Sequence, residues 1–346
     1  MKLSCLQENL AKGLGVVGRA VATRSTLPQT SHVLIATEDG RLKLAATNLE
    51  IAVTCWLGAQ VEEEGAITIP ARLLTDFVTS LPNERIDLAL APRAKQLNIV
   101  SGRNEATIAG MDAADFPPIP SVGDGITMRL DPAALRTAIA QVEFAAAIDD
   151  TRPVLTGIHT LLEGSQLTLA AADGFRLAVH TLALDQEAPE RIEVIIPARA
   201  LRELERLMGE DEEPVEVAFN ANRSQVQFRL KSVEMVAQLI QGTFPNYSQL
   251  IPQSYTNRAV IDLNEFLRET RIAAIFARDG SGIVRLQVEP GEEVSPGKVT
   301  ISARAEEIGD HRGEIDASVE GEPAKVAFNS KYLQDVLQVL DCGQVA

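Results

Sequence analysis

Along this chain, stretches in which apolar residues recur every third or fourth position trade places with stretches in which they recur every second. The first kind predicts helices over 6–22, 70–81, 132–147, 197–208, 263–277 and 329–340. The second predicts half-buried strands, as where Leu42 and Leu44, or Leu167 and Leu169, alternate with polar neighbours. Asp131-Pro132 is a start signal for the third helix: a carboxylate can cap free N–H groups, and proline fits the first helical position. Asp262 can cap the fifth helix in the same way.

The elements recur in threes. Ile69-Pro70-Ala71-Arg72-Leu73-Leu74, Ile196-Pro197-Ala198-Arg199-Ala200-Leu201 and Phe328-Asn329-Ser330-Lys331-Tyr332-Leu333 each open a helix, and their starts at 69, 196 and 328 lie 127 and 132 residues apart. A strand pair precedes each copy, and the earlier helix of each unit is followed by an arginine in a turn: Arg24, Arg152 and Arg278. Copies one and two run on to a Phe-Pro turn at Phe116-Pro117 and Phe244-Pro245. The repeat predicts an α+β chain of three tandem domains, 1–121, 122–253 and 254–346, each with two helices packed on antiparallel sheets. The third copy ends at Ala346, roughly thirty residues or two strands short by internal comparison, so the last domain is expected to be truncated.

Composition narrows the function. At 45% hydrophobic residues the chain can build several cores, and no apolar run approaches the ~18 residues of a membrane span. The three cysteines, Cys5, Cys55 and Cys342, lie far apart, which favours free thiols, no metal and a cytoplasmic location. Net charge is −16, which taken alone disfavours a nucleic-acid binder. The predicted helices, however, hold ten basic residues against eight acidic ones, so the acidity sits on strands and loops. Helices lining one surface would give it a different potential from the rest. No nucleophile elbow, phosphate loop, dinucleotide fingerprint or zinc-protease motif appears, and the four histidines lack metal spacing. Asp173-Gly174-Phe175-Arg176 reads as a strand-to-strand turn, with Gly174 supplying a positive φ. These features predict no catalytic residues and no cofactor.

Several segments together carry a specific resemblance: Thr26-Leu27-Pro28, Ile69-Pro70-Ala71-Arg72, Ala172-Asp173-Gly174-Phe175-Arg176-Leu177-Ala178-Val179, Thr243-Phe244-Pro245-Asn246-Tyr247 and Phe328 to Leu337. Over its whole length the chain resembles the β subunit of bacterial DNA polymerase III, the sliding-clamp family. The resemblance implies three clamp-fold domains, a head-to-tail homodimeric ring around duplex DNA, and no catalysis. Helix dimensions suit that ring. Six helices side by side at about 10 Å enclose a circle near 19 Å across, too narrow for a duplex, whereas twelve enclose about 38 Å.

For DNA, the expected contacts are Arg24, Arg72, Arg152, Arg199, Arg278 and Lys331, holding phosphates without reading sequence. Asp149 stands where the family often has a neutral polar residue. The resemblance also implies a pocket between the second and third domains that takes short peptides from the replicative polymerase, the clamp loader and repair factors. Its matching positions are Leu155, Ala172, Gly174, Phe175, Arg176, Leu177, Pro245, Leu250, Asn329 and Tyr332. Phe175 replaces the usual His or Tyr, and Gln249 a frequent Arg. On the second helix, Leu74 and Val78 are assigned to the core. Leu73, Phe77 and Leu81, with Ile108, are assigned to a subunit contact that meets Ile275 and Phe276 of a second copy. The alternative reading is a clamp-fold peptide-binding scaffold that does not encircle DNA.

Overall fold

The computed structural model describes every residue except 23–26, 124, 210–211, 279, 293–295 and 308. The first repeat runs β1 (Lys2–Leu6), α1 (Gln7–Val17), β2 (His32–Glu38), β3 (Arg41–Thr47), β4 (Ile51–Leu57), β5 (Gln60–Glu63), β6 (Ala66–Pro70), α2 (Ala71–Ser80), β7 (Arg85–Ala91), β8 (Gln96–Ser101) and β9 (Asn104–Ala109). The second runs β10 (Ile126–Leu130), α3 (Pro132–Glu143), β11 (Gly157–Glu163), β12 (Gln166–Ala172), β13 (Leu177–Ala183), β14 (Ile192–Pro197), α4 (Ala198–Met208), β15 (Val215–Phe219), β16 (Gln225–Arg229) and β17 (Val233–Gln238). The third runs β18 (Arg258–Asp262), α5 (Leu263–Arg278), β19 (Ile283–Glu289), β20 (Gly297–Ala305), β21 (Gly309–Glu320), β22 (Ala324–Asn329), α6 (Ser330–Val339) and β23 (Gln344–Val345).

By contact the chain forms two compact units. One holds Met1–Ile139, Ala146–Ala170 and His180–Thr243; the other holds Ala140–Ala145, Ala171–Val179 and Phe244–Ala346. In the first, a five-stranded sheet has the order β5-β1-β7-β8-β9, with β9 at its edge. An eight-stranded sheet in the order β10-β15-β16-β17-β4-β3-β2-β6 joins two repeats, because β17 pairs antiparallel with β4 from Val233 opposite Cys55 to Ala237 opposite Ile51. The last strand of one repeat thus completes the sheet of the repeat before it. Strands β13-β12-β11-β14 form a third sheet. The second unit has a six-stranded sheet in the order β22-β19-β20-β21-β18-β23.

The helices form as their apolar stripes and caps dictate. Asp131 accepts a hydrogen bond from the Ala134 N–H at 2.7 Å, and Asp262 one from the Glu265 N–H at 2.9 Å, so both expected caps form. Asn329 caps α6 by accepting from the N–H groups of Lys331 and Tyr332; such a cap contributes about 1 kcal/mol. Leu74 and Val78 of α2 are fully buried, as are Leu10, Leu14 and Val17 of α1. Phe266, Ala273 and Ala277 of α5 share a core with Val284, Val299, Ile301 and Leu337.

The expected helix over 6–22 is shorter. It stops at Val17 and tightens into a 3-10 turn at Gly18–Ala20, where glycine weakens helix continuation. Gly13 has a separate purpose: a Cβ there would meet a Leu57 methyl at 2.7 Å, so its absence lets α1 lie close on β4. The helix expected over 132–147 ends at Glu143.

Candidate functional site

The thrice-repeated basic position falls at the same point of three helices. Arg72, Arg199 and Lys331 are the second residues of α2, α4 and α6. A cation there opposes the positive helix N-terminus, a local cost of about 0.3–1 kcal/mol that an approaching anion would reverse. All three are exposed. The Arg72 side chain is 96% exposed and 3.8 Å from Asp76, an exposed pair that holds it only weakly. Arg199 lines a cleft of about 620 Å³ in the first unit with Arg202 and Arg206 of the same helix. Glu203 receives Arg206 at 2.9 Å and Arg19 at 3.4 Å, so part of this charge is internally balanced. Arg152 and Arg278 are exposed, and Arg24 lies outside the described residues. Asp149 accepts from the Thr151 N–H and hydroxyl at 2.9 and 2.8 Å, and these bonds hold its carboxyl below the usual range. It fastens its own turn.

Within the second unit, the turn after β12 builds a cluster around Arg176. Gly174 has φ +92°, the left-handed conformation the turn requires. Asp173 accepts from the N–H groups of Phe175 and Arg176 at 2.8 and 3.0 Å and from Arg176 Nε at 3.0 Å. Arg176 also donates to Asp335 of α6 at 2.6 Å. Its guanidinium lies 4.3 Å from the Tyr332 ring centroid and 5.4 Å from that of Phe144. Of the expected pocket residues, this draws Arg176 and Tyr332 together with the Gly174 turn. Phe175 and Leu250 stand out at 82% and 71% exposed, Pro245 and Asn329 are exposed, and Ala172 and Leu177 are half-buried. Leu155 is only 6% exposed, in the first unit.

The expected subunit face needs correction at two positions. Leu73 is 54% exposed and Phe77 half-buried, but Leu81 and Ile108 are 8% and 6% exposed and have little surface to offer a partner. Helix α2 ends at Ser80, so Leu81 leaves the helical stripe with extended backbone. Ile108 pairs with Leu97 across β8 and β9 and shares its inward face. Ile275 is 59% exposed, while Phe276 stacks on His311 with ring centroids 5.8 Å apart.

Sequence reasoning left Arg202 and Arg206 out of the candidate set, although their spacing from Arg199 places all three along one side of α4. It also missed Phe144 and Asp335 as partners of Arg176; they lie 32 and 159 positions away, and no local pattern joins them. Among the described residues, no group of three or more His, Cys, Asp or Glu could hold a metal, and no helix is long and apolar enough to cross a membrane.

Repeated helix-and-sheet domains joined edge to edge, with basic residues at matched helix starts, define a clamp-fold protein. The family description "DNA polymerase III beta subunit" matches in three consecutive parts: N-terminal domain at 1–120, central domain at 129–246 and C-terminal domain at 248–346. The chain belongs to this DNA polymerase III beta-subunit family. It is 32% identical over 336 residues to the beta sliding clamp of Staphylococcus aureus strain Mu50, covering 94% of this chain and 87% of that one. The DNA polymerase sliding clamp of Bacillus subtilis has a similar structure, with a TM-score of 0.93 at 28% identity, covering 99% of this chain and 91% of that one. The DNA polymerase III subunit beta of Pseudomonas aeruginosa gives 0.89 at 29%, covering 99% and 92%.

Proposed function

We propose that this chain is a non-catalytic DNA polymerase sliding clamp, three domains long (1–121, 122–253 and 254–346), whose homodimeric ring holds duplex DNA through phosphates and tethers partners by short peptides. The observation that carries the reading is the β17–β4 joint. Within the chain, the last strand of the second repeat, β17, pairs with the fourth strand of the first, β4. The last strand of the first repeat, β9, lies at a sheet edge. In the third repeat, β21 pairs with β20 from Gly309 to Ala317 and with β18 from Ala317 to Glu320. Its stretch 309–316 has one side without a strand among the described residues. A second copy supplies the match: β9 of one chain pairs with β21 of the other, and the reciprocal contact closes the pair head to tail.

The internal repeat also supplies a register. The β17–β4 pairing, carried over, sets Glu105 opposite Arg312, an attractive cross-strand pair. Phe276, stacked on His311 of β21, joins Leu73 and Phe77 at the same contact.

The proposed phosphate contacts are Arg24, Arg72, Arg152, Arg199, Arg278 and Lys331, with Arg202 and Arg206 added by the cleft that all three α4 arginines line. The proposed peptide site uses Phe175 and Leu250 as exposed apolar anchors beside Arg176 and Tyr332.

Light scattering should give twice 37.3 kDa. After loading, the protein should stay on nicked circular DNA and leave once the circle is cut. Equal loss from circular and linear DNA would overturn the encircling reading. Glu105→Arg should weaken the dimer and Arg312→Glu in the same chain should restore it; failure of that rescue would overturn the register.

A further inference from the structure

We propose that the second unit carries a binding site for a small polyphosphate on the face of its six-stranded sheet that turns away from the core. Strand alternation fixes the face. Val299, Ile301 and Ala303 of β20 are buried at 0–2% in the core, so Thr300 and Ser302 point the other way. Val284 and Leu286 likewise turn inward on β19, leaving Arg285 and Gln287 beside them. Cross-strand register then gathers the remaining members. Arg285 sits opposite Ser302, Ser302 opposite Arg312, and Gln287 opposite both Thr300 and Lys325.

These six side chains line a cavity of about 410 Å³, and none of its lining residues is acidic. In a chain of net charge −16, three cations around one cavity stand out. Arg285 and Lys325 are exposed and have no ion-pair partner among the described residues. Arg312 lies at the rim, where it donates to Glu314 at 2.9 Å and, in the proposed dimer, also faces Glu105 of the partner subunit, so Arg285 and Lys325 are the cations left for a ligand.

The second, independent observation is Thr300. It is 4% exposed, and its Oγ1 has no hydrogen-bond partner. Buried hydroxyls are almost always satisfied, and one left unmade is costly. An acceptor oxygen entering the cavity would take that O–H. The cations ask for the same ligand, because guanidinium groups fork onto phosphate oxygens and an ammonium supplies a point charge. From Lys325 on β22 to the Thr300 hydroxyl on β20 is two strand spacings, about 10 Å, wider than a single phosphate and suited to two or three linked ones.

Titration calorimetry of the full chain with inorganic tripolyphosphate at low salt tests the site. One ion should bind per chain. Arg285→Ala/Lys325→Ala, both exposed positions, should weaken it at least tenfold, while Arg103→Ala, an exposed arginine of the first unit, should leave it unchanged. Thr300→Val should weaken binding about fivefold and yet raise the melting temperature of the ligand-free protein, since the unsatisfied hydroxyl is gone. Excess duplex DNA should not displace the ion. Unchanged binding in the double variant, equal loss in Arg103→Ala, displacement by DNA, or equally tight binding of hexaglutamate would each overturn the proposal.

Discussion

Replacing Arg176 with alanine removes the centre of a five-residue cluster, and the structure sets the size of the loss. The guanidinium makes ion pairs at 3.0 Å to Asp173 and 2.6 Å to Asp335, with side chains 15%, 14% and 23% exposed. That is too buried for the 0.2–1 kcal/mol of a surface pair and too exposed for the 3–5 kcal/mol of breaking a fully buried one. The Tyr332 and Phe144 faces add about 0.5–1 kcal/mol each. Asp173 keeps two backbone N–H partners after the change, whereas Asp335 loses a short charged bond. Together these give a destabilisation of about 2–4 kcal/mol. Urea unfolding followed by circular dichroism should show it. Trp56 fluorescence serves as an internal control, since the sole tryptophan lies in the first unit and should shift less. A double-mutant cycle with Asp335→Ala should return a coupling of about 1–2 kcal/mol. A loss below about 0.5 kcal/mol, or strict additivity in the cycle, would show that the cluster does not hold the turn.

Arg199→Ala/Arg202→Ala/Arg206→Ala should lower DNA affinity and flatten its dependence on log salt by up to about 0.9 per lost phosphate contact; an unchanged slope in a filter-binding series would exclude α4 from the contact. Leu73→Asp should split the dimer by sedimentation with little change in unfolding midpoint, while Leu74→Ala should cost about 2–5 kcal/mol of stability. Burial pushes the Cys5 and Cys55 thiols up to about 11 and about 12, so iodoacetamide at pH 8 should label one thiol, the exposed Cys342, until the chain is unfolded. Burial lowers the pKa of His32 and His180 below the ordinary 6.5, so the unfolded chain binds protons first as pH falls through that value. Stability should therefore drop from pH 6.5 downward until the lowered folded values are passed, and His32→Asn should shallow the drop in a melting series.

The architecture was readable because it is periodic. A six-residue phrase repeated three times marks the starts of α2, α4 and α6, and the Asp131 and Asp262 caps follow from chemistry that acts over three residues. Leu74 and Val78 fell to the core as their stripe demanded. Leu81 did not follow Leu73 and Phe77, because a helical spacing carries meaning only while the helix lasts, and α2 stops one residue earlier. Ile108 was misplaced for a related reason: nothing local tells which face of a lone strand turns inward until its neighbours are known. The Arg176 cluster could be read only in part. Asp173 and Gly174 sit beside it in sequence, while Phe144 and Asp335 arrive from other elements. The orphaned Thr300 hydroxyl was invisible altogether, since burial of a polar strand residue depends on what its neighbours' side chains cover.

The strand joint between repeats has a further consequence. Its bonds are backbone to backbone, so they recognise any strand of suitable length and register. A chain that offers a donor edge at β9 and an acceptor edge at β21 is a bifunctional monomer in the polymer chemist's sense. Two such monomers that meet at the closing angle make a finite product; a small error in that angle makes an open filament. In the proposed dimer, Phe276 and Leu73 at the joint would guard against polymerisation as well as hold two copies together, and their loss should appear first as concentration-dependent growth in mass.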